Sequence, residues 1–490
     1  MNEGVTLHDL AERVPGRVTI LGATTSVVDV TRDSREVLPG WLFVAVRGGA
    51  IDGHDYVHDA VTRGAAAVAV EEKVAVDVPQ LLVADTRRAL PWLAAMVHGD
   101  PSRKLTVVGV TGTNGKTTVT HMLESIATEA GLVPGVIGTV GARIAGASVP
   151  VPRTTPEGSD LHRLLAQMVR AGVEMAAIEV SSHALDLGRV DGVWFRTAAF
   201  TNLSQDHLDF HGDMGAYRDA KASLFEESRA ASAVICVDDE AGQWIAKASN
   251  IPVTTVSVHG VADVMVPERS SSLAGSRFVI AAGERPPFSV DLAVPGEFNV
   301  ANALVAAAIA LELGIEPDAV SRGLARLAPI PGRFERVEEG QPFEVVVDYA
   351  HTPDAVATVV RATRAITSGR IFVVVGAGGD RDRDKRPAMG RAAAESDRVI
   401  VTSDNPRSED PAAIVAAVAK GARRAGAAVL EEPDRKAAIG LAISQARAGD
   451  VVLVLGKGHE QGQEIGGVIL PFDDRTEAVR HLRPHREAGR

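Results

Sequence analysis

The chain of 490 residues is 46% hydrophobic and 23% charged, with a formal net charge of -12. That length exceeds what one hydrophobic core organises, and the acidic balance argues against a general nucleic-acid or membrane-surface binder, although not against a local basic pocket for anions. The single cysteine, Cys236, rules out an internal disulfide and a Cys-rich metal cluster.

The opening stretch "MNEGVTLHDLAERV" is polar and acidic rather than a signal peptide, and no apolar run reaches the roughly 18 residues that span a bilayer. A soluble, cytoplasmic protein in a reducing compartment is expected. Residues 1–103 carry short strand-like runs, "WLFVAV" and "AAAVAVEE", with helical spacing in "DYVHDAVTRGA" between them. The polar break "HGDPSRKL" reads as a linker into a second region, 104–336. There "LTVVGV", "MAAIEV", "TAAFTNL" and "SAVICVDD" recur with helical patterns between the early ones, the signature of βαβ units around a mostly parallel sheet. Hairpin-like pieces follow in "SRFVIAAGERPPFSVDL", then a helix in "NVANALVAAAIALELG" that closes on its glycine. "LAPIPGRFERV" marks the next boundary. In region 337–490, "FEVVVDYA", "IFVVVGAGG", "RVIVTSDN" and "VVLVLGKG" are buried-strand candidates, and "EDPAAIVAAVAKGARR" opens a helix with Asp410 as N-cap and Pro411 at its first position. This predicts a second, doubly wound α/β domain. The expected fold class is therefore α/β in three domains, the central one P-loop-like and the last Rossmann-like.

"GVTGTNGKTT" joins an apolar strand to a helix. A glycine-rich turn at such a junction exposes backbone N–H groups that, with the helix dipole, cradle phosphate oxygens. Gly112, Thr113, Asn114, Gly115, Lys116, Thr117 and Thr118 form the candidate loop. Lys116 can place a point charge on terminal phosphates and Thr117 a hydroxyl on Mg²⁺. The spacing departs from the generic nucleotide-loop pattern, because Val110 stands where glycine would. Downstream, Glu179 ends an apolar strand candidate, and "FTNLSQDHLDFHGDMGAYRDAKASLF" carries His207 and Lys221. Singly, Glu179 is compatible with a helix cap, His207 with a core histidine and Lys221 with a solvated charge.

Taken in order, these motifs resemble the Mur ligases, in which the variant loop spacing is normal. The resemblance runs from Asp33 to Glu460. It implies an ATP-dependent acid–amino-acid ligase of cytoplasmic peptidoglycan precursor synthesis, acting on small molecules as a monomer. It implies Mg²⁺ held by Thr117, Glu179, His207 and Lys221, the last carrying a CO₂-derived carbamate, with Lys116, Glu179, His207 and Lys221 as the catalytic set. It places Asn299 (by itself a helix N-cap candidate), Arg333 (by itself any surface arginine) and Asp348, with His351 nearby, at the nucleotide. It places Ser34, Gly49, Ala50, Ile51, Arg153, Thr154, Thr155, Ser181 and Arg189 at UDP-MurNAc-L-Ala-D-Glu. The chain departs from the family pattern at Arg153 and Leu187, where Asn and Gln are expected.

The amine is chosen in the last region. "TSDNPRSED" puts Asp404, Asn405, Pro406 and Arg407 beyond the carboxyl end of a strand, where α/β domains bind ligands. It resembles the meso-diaminopimelate signature of the family. A guanidinium can grip that molecule's distal carboxylate bidentately, and an acid can receive its distal ammonium. Glu460 is the matching acid, Gly456 its backbone companion and Arg381 a carboxylate contact. The implied route passes through an acyl phosphate on the D-Glu γ-carboxylate, which the diamine then attacks. L-lysine or another diamine remains an alternative amine, and a folylpolyglutamate synthase an alternative ligase. A P-loop nucleotide switch would need a guanine-specifying N-K-x-D-like stretch, which is absent.

Overall fold

The computed structural model describes residues 4–49 and 51–488. The short apolar runs of the first region form five strands: β1 (Thr19–Leu21), β2 (Asp29–Thr31), β3 (Trp41–Val44), β4 (Ala67–Val70) and β5 (Gln80–Leu82). Their order is β1-β5-β4-β3-β2, parallel except for β1. Leu42 and Val44 pack on one face with helix α2 (Thr86–Val97), while Phe43 and Val68 pack on the other with the preceding helix α1 (Val57–Thr62). Burial on both faces explains why these strands read as unbroken apolar runs rather than alternating ones. The "DYVHDAVTRGA" stretch begins with a 3₁₀ turn, Gly53–Tyr56, before α1 starts.

The chain divides into two compact units. The first comprises Met1–Gly112, Ala127–Phe200 and Arg218–Thr255; the second comprises Thr113–Ile126, Thr201–Tyr217 and Val256–Arg490. The central elements are β6 (Thr106–Thr111), α3 (Lys116–Glu129), β7 (Pro134–Gly138), β8 (Gly141–Ile144), β9 (Ala147–Val149), α4 (Gly158–Arg170), β10 (Met175–Glu179), β11 (Thr197–Phe200), α5 (Met214–Ala222), β12 (Ala233–Cys236) and β13 (Val253–Ser257). The strands follow the order β9-β8-β7-β10-β6-β11-β12-β13. Strands β7, β10, β6, β11 and β12 run parallel, as the recurring apolar runs predict, and β8 and β9 extend the sheet as antiparallel hairpins. Parallel order brings Glu179, at the end of β10, level with Val110 near the end of β6.

In the second unit, β14 (Val264–Met265), β15 (Arg269–Ser272), β16 (Gly275–Ala282) and β17 (Phe288–Leu292) pair antiparallel around β16. Helix α6 (Glu297–Glu312) follows, begins two residues earlier than Asn299 and ends before Gly314, whose φ is 82°. The last region holds β18 (Glu335–Arg336), β19 (Glu344–Asp348), β20 (Ile371–Val375), α7 (Lys385–Ala393), β21 (Arg398–Val401), α8 (Pro411–Arg424), β22 (Val429–Glu431), α9 (Arg435–Gln445) and β23 (Val451–Leu455). Its sheet order is β18-β19-β23-β20-β21-β22, all parallel but β18. Val346, Val373 and Leu453 belong to one core and Val345, Phe372 and Val452 to another, so both faces are covered, as in a doubly wound sheet. Asp410 caps α8 through a bond from Ala412 N–H, with Pro411 next. A hairpin of β24 (Gly462–Ile465) and β25 (Val468–Pro471) completes the unit. Among the described residues, no helix is long and apolar enough to cross a membrane.

One buried titratable group reports on the first unit. His162, on α4, is fully buried and its Nε2 donates to the Asp191 carbonyl at 3.1 Å. Burial pushes its pKa down from 6.5 to about 4. Above pH 6.5 the ring is neutral folded or unfolded. As pH falls from 6.5 toward 4 only the unfolded chain takes the proton, so stability is lost across that window and levels off below it. The loss amounts to roughly 3 kcal/mol. The stability gap between wild type and His162→Gln, from urea unfolding at pH 7 and pH 4, should narrow or invert by about that amount; parallel profiles would contradict it.

Candidate active site

Within the first unit, the carboxylate of Glu179 is almost wholly buried at the end of β10. It accepts from the Thr139 N–H at 2.8 Å and from the Thr139 hydroxyl at 2.9 Å. Gly138 makes room for it: a Cβ there would lie 2.1 Å from Glu179 Oε1. Glu179 does not cap a helix; Ser181 does, accepting from Ala184 N–H at the start of Ser182–Asp186. Several candidate substrate residues meet around this strand end. The Thr154 and Thr139 hydroxyls lie 3.0 Å apart, Thr155 Oγ1 donates to the Glu179 carbonyl at 2.8 Å, and Ser181 N–H donates to Thr155 Oγ1 at 3.1 Å. Arg189 reaches the Thr155 carbonyl at 3.4 Å and pairs with Glu157 at 3.0 Å. Arg153 pairs with the same Glu157. Burial, the largest influence, lowers the Arg189 pKa.

Lys221, on α5, is 1% exposed and donates to the Gly112 carbonyl at 2.8 Å. The solvated-charge reading is therefore wrong for this lysine. Ser34 is buried at the start of a 3₁₀ turn, whereas Ile51 is 61% exposed and a Cβ on Gly49 would meet nothing within 4 Å. Ala50 lies outside the described residues. No hydrogen bond among the described residues links Ser34, Gly49 or Ile51 to the Thr154–Ser181 group.

In the second unit the phosphate-loop candidates are held by the segment after β11. Thr113 N–H donates to the Asn202 carbonyl at 2.9 Å and Asn114 N–H to Asn202 Oδ1 at 3.0 Å. The Thr201 hydroxyl donates to the Asn114 carbonyl. Gly115 has φ +90°, and a Cβ there would fall 2.2 Å from Asn302 Oδ1 on α6, so only glycine fits. Lys116 Nζ lies on the Thr113 carbonyl at 2.9 Å. Thr117 and Thr118 are buried in the first turn of α3. Arg333 donates to the Thr117 hydroxyl at 3.0 Å and stacks 4.6 Å over the Tyr349 ring, which is more than a surface arginine does. Asp348 accepts from Phe334 N–H at 2.7 Å and Ala350 N–H at 2.8 Å. Burial, the largest influence, raises its pKa against those donors and Arg333. Asn299 is not the N-cap of α6; Gly296 is, and the Asn299 side chain reaches back to the Pro295 carbonyl at 2.8 Å.

His207 has a left-handed backbone, φ 53°, and its side chain is 43% exposed, so it is not a core histidine. The neighbouring Asp206 is buried and pairs with Lys385 of α7 at 2.7 Å. Burial pushes the Asp206 carboxyl upward, but His207, His351 and Lys385 together hold it well below the usual carboxylate range.

The amine-loop candidates form one cluster. Asn405 donates to Glu460 Oε2 at 2.9 Å, and Arg407 donates to the Gly379 carbonyl at 2.7 Å and pairs with Glu464 at 3.4 Å. The Pro406 carbonyl would lie 1.9 Å from a Cβ on Gly379, and a Cβ on Gly456, 3.4 Å from Asp404 Oδ2. Arg381 is exposed on the loop before α7. Sequence reasoning missed Asn202, Thr139, Asp206, Lys385, Lys457 and Glu464. Only Asn202 had a local signal, since it follows a strand end in "FTNLS".

Each unit carries donors of a kind a hard cation can use: the Glu179 carboxylate in the first, the Thr117 hydroxyl and the His207 imidazole in the second. Among the described residues no three His, Cys, Asp or Glu side chains gather to hold a metal. An ion held by so few protein groups takes its other oxygens from phosphate and water, which is how Mg²⁺ binds nucleotide.

The sequence pattern of the Mur ligase family catalytic domain matches residues 27–98, that of the Mur ligase middle domain 110–310, and that of the Mur ligase glutamate ligase domain 332–458. A UDP-N-acetylmuramoyl-L-alanyl-D-glutamate–2,6-diaminopimelate ligase of Geobacillus thermodenitrificans is 44% identical over 480 residues, covering 96% of this chain and 98% of that one. The Streptomyces coelicolor protein of that name is 45% identical over 483 residues, 96% of this chain and 94% of its own. The chain belongs to the Mur ligase family. A solved structure of a ligase of the same name superposes with a TM-score of 0.68 at 34% identity, over 94% of this chain and 96% of that one. A Mycobacterium tuberculosis folylpolyglutamate synthase shares the fold at 20% identity, TM-score 0.63, over 80% of this chain.

Gly138→Ala would drive the carboxylate of Glu179 out of its cradle. Mg²⁺-dependent ATP binding, measured by calorimetry, is expected to weaken tenfold or more; unchanged affinity would show that Glu179 plays no part in it.

Proposed function

We propose that this protein is an ATP-dependent ligase that joins meso-diaminopimelate to the D-Glu γ-carboxylate of UDP-MurNAc-L-Ala-D-Glu, as a monomer in the cytoplasm. The observation that carries the reading is the amine loop. Arg407 is aimed by its left-handed backbone, φ 52°, and by the Gly379 carbonyl, and Asn405, two residues before it, holds an acid, Glu460. A fork on the loop after β21 and an acid on the loop after β23, joined through Asn405, match the distal carboxylate and distal ammonium of a diamino diacid. L-lysine lacks that carboxylate and would leave Arg407 with only its pairing to Glu464. Identity above 40% to ligases named for diaminopimelate, over nearly the whole chain, supports the same choice.

In this reading the loop Gly112–Thr118 receives the triphosphate on its N–H groups and α3 dipole, and Lys116 leaves the Thr113 carbonyl for the terminal phosphate. Thr117, Glu179, His207 and carbamylated Lys221 would hold Mg²⁺. Bound there, the ion supplies neutralisation of phosphate charge. Asn299, Arg333 and Asp348 would contact the nucleotide, with Arg333 also positioning Thr117. Ser34, Gly49, Ala50 and Ile51 would face the uridine end, and Arg153, Thr154, Thr155, Ser181 and Arg189 the muramoyl peptide. The γ-carboxylate attacks the ATP γ-phosphorus, and ADP leaves. The diaminopimelate α-amine attacks the acyl phosphate carbonyl, loses a proton, and phosphate departs. Positioning and charge neutralisation carry most of this acceleration.

The burial of Lys221 supports a lysine modification. A carbamate, formed when the neutral Lys221 amine adds CO₂ and loses a proton, replaces an ammonium by an oxygen ligand where cations must gather. After equilibration with ¹³C-bicarbonate, a carbamate carbon resonance should appear in the wild type and vanish in Lys221→Arg. Its absence from the wild type would refute the modification.

The substrate assignment is tested by supplying UDP-MurNAc-L-Ala-D-Glu and ATP with meso-diaminopimelate, L-lysine or L-ornithine in turn. Phosphate release is expected with the first at least a hundredfold faster than with the others. Lys116→Ala should abolish turnover with every amine. Arg407→Ala should lose mainly the preference for diaminopimelate; intact selectivity in that variant would sink the assignment.

A further inference from the structure

Lys457 lies in "LGKGHEQGQ", two residues beyond β23, and is 0% exposed. Burying an ammonium costs several kcal/mol unless its charge and protons are met. Here they are met by two acceptors, Asn405 Oδ1 at 3.0 Å and Glu460 Oε2 at 3.0 Å, and by the charge of Asp404, whose Oδ1 lies 3.6 Å away. The turn is closed by Glu460 N–H donating to the Lys457 carbonyl at 3.0 Å, with Gly458 at φ 52° between them. The next cation, Arg435, is fully buried and already matched, with both its contacts to Asp474 at 2.7 Å. Two carboxylates, Asp404 and Glu460, therefore share the one Lys457 ammonium.

The bonds on Glu460 are lopsided. Asn405 and Lys457 both donate to Oε2, and among the described residues no hydrogen bond reaches Oε1, on a side chain 33% exposed. Asp404 Oδ1 is buried and accepts no hydrogen bond. Acceptor capacity and one negative charge are left over at the same place.

We propose that Lys457 is a positioning residue for amine selection. Its ammonium cancels one of the two carboxylates and locks Glu460 and Asn405 together, so that the loop offers a single net negative charge, on Glu460 Oε1, to the distal ammonium of the incoming amino acid. This deepens the reading of the loop as the diaminopimelate site and rests on it. Without the ammonium, Asp404 and Glu460 would repel one another across a few ångströms, and Glu460 would turn outward to water.

The test is a double-mutant cycle on Lys457→Met and Glu460→Gln, with steady-state KM for meso-diaminopimelate and for ATP, and thermal unfolding as a check of folding. Lys457→Met is expected to raise the diaminopimelate KM at least tenfold with the ATP KM within twofold. The double variant is expected to be no worse than Glu460→Gln alone, because Lys457 acts through that carboxylate. Effects that multiply, or an ATP KM that rises in step, would overturn the role. Should Lys457→Met not fold, Lys457→Gln fills similar volume with a neutral amide and carries the same cycle. Failure of wild type to use diaminopimelate would overturn the underlying reading, whereas normal wild-type turnover with a multiplicative cycle would overturn the role of Lys457 alone.

Discussion

Glu179 leaves water at the end of β10 and is met there by two donors from one residue, the amide and hydroxyl of Thr139. The same constraint recurs at two strand ends of the second unit, at Asp348 and near Asp404. The carboxyl ends of parallel strands are where α/β domains bind ligands, so acidic side chains there are both useful and costly to bury. Each is satisfied by a different device. Asp348, ending β19, takes two backbone amides, from Phe334 and Ala350. Asp404, beyond β21, faces the Lys457 ammonium. These three solutions decide the course of the loops around them. The amide that Asp348 captures from Phe334 holds the turn carrying Arg333, and Arg333 in turn reaches Thr117.

Charge is organised by the same logic. Asp206 is buried, yet it is kept ionised by His207, His351 and Lys385, which approach from three separate segments. In the first unit Glu157 gathers Arg153 and Arg189. Arg153 stands where asparagine is expected in the family. The pairing shows how the larger side chain is accommodated: its guanidinium turns onto an acid four residues on, at the N-cap of α4, and shares it with Arg189. A net charge of -12 therefore coexists with local cationic clusters, and composition alone would not reveal them.

Strands and helix caps were legible because their signals are local. Runs such as "VVLVL" and "IFVVV" are apolar on both faces, and Asp410-Pro411 announces a helix start. Gly112-Thr113-Asn114-Gly115-Lys116 reads as a candidate phosphate loop because backbone chemistry asks for such residue types at a strand-to-helix turn. What was not legible depends on partners remote in sequence. Helix α5 carries Arg218, Asp219 and Lys221 within four residues, and nothing local tells which of them is buried. Thr139 reaches Glu179 across 40 residues, and Asn405 meets Lys457 across 52. A glycine-flanked lysine in "GKGHE" reads as a loop charge until the strand beside it is placed. Asn299 misled in the other direction: asparagine favours N-caps, but the helix had already begun on Gly296, leaving its side chain to bond backward to Pro295.

Arg407 shows how selection and fold are coupled. A non-glycine residue at φ 52° is held against a cost of about 1 kcal/mol or more, so the surroundings must over-determine it. They do so through the β24–β25 hairpin. Arg407 N–H donates to the Glu464 carbonyl at 3.0 Å, Gly466 N–H to the Arg407 carbonyl at 2.7 Å, Gln463 Nε2 to the Asp404 carbonyl at 2.8 Å, and Glu464 N–H to Asn405 Oδ1 at 3.1 Å. The hairpin thus adds a strand-like edge to the loop and makes up the backbone pairing that the left-handed turn gives up. That explains why it persists although Val468, Ile469 and Leu470 remain exposed and bury little in the core. Its stability comes from clamping the Asp404–Arg407 loop, and in return the direction of one guanidinium is set by backbone hydrogen bonds rather than by the flexible side chain alone.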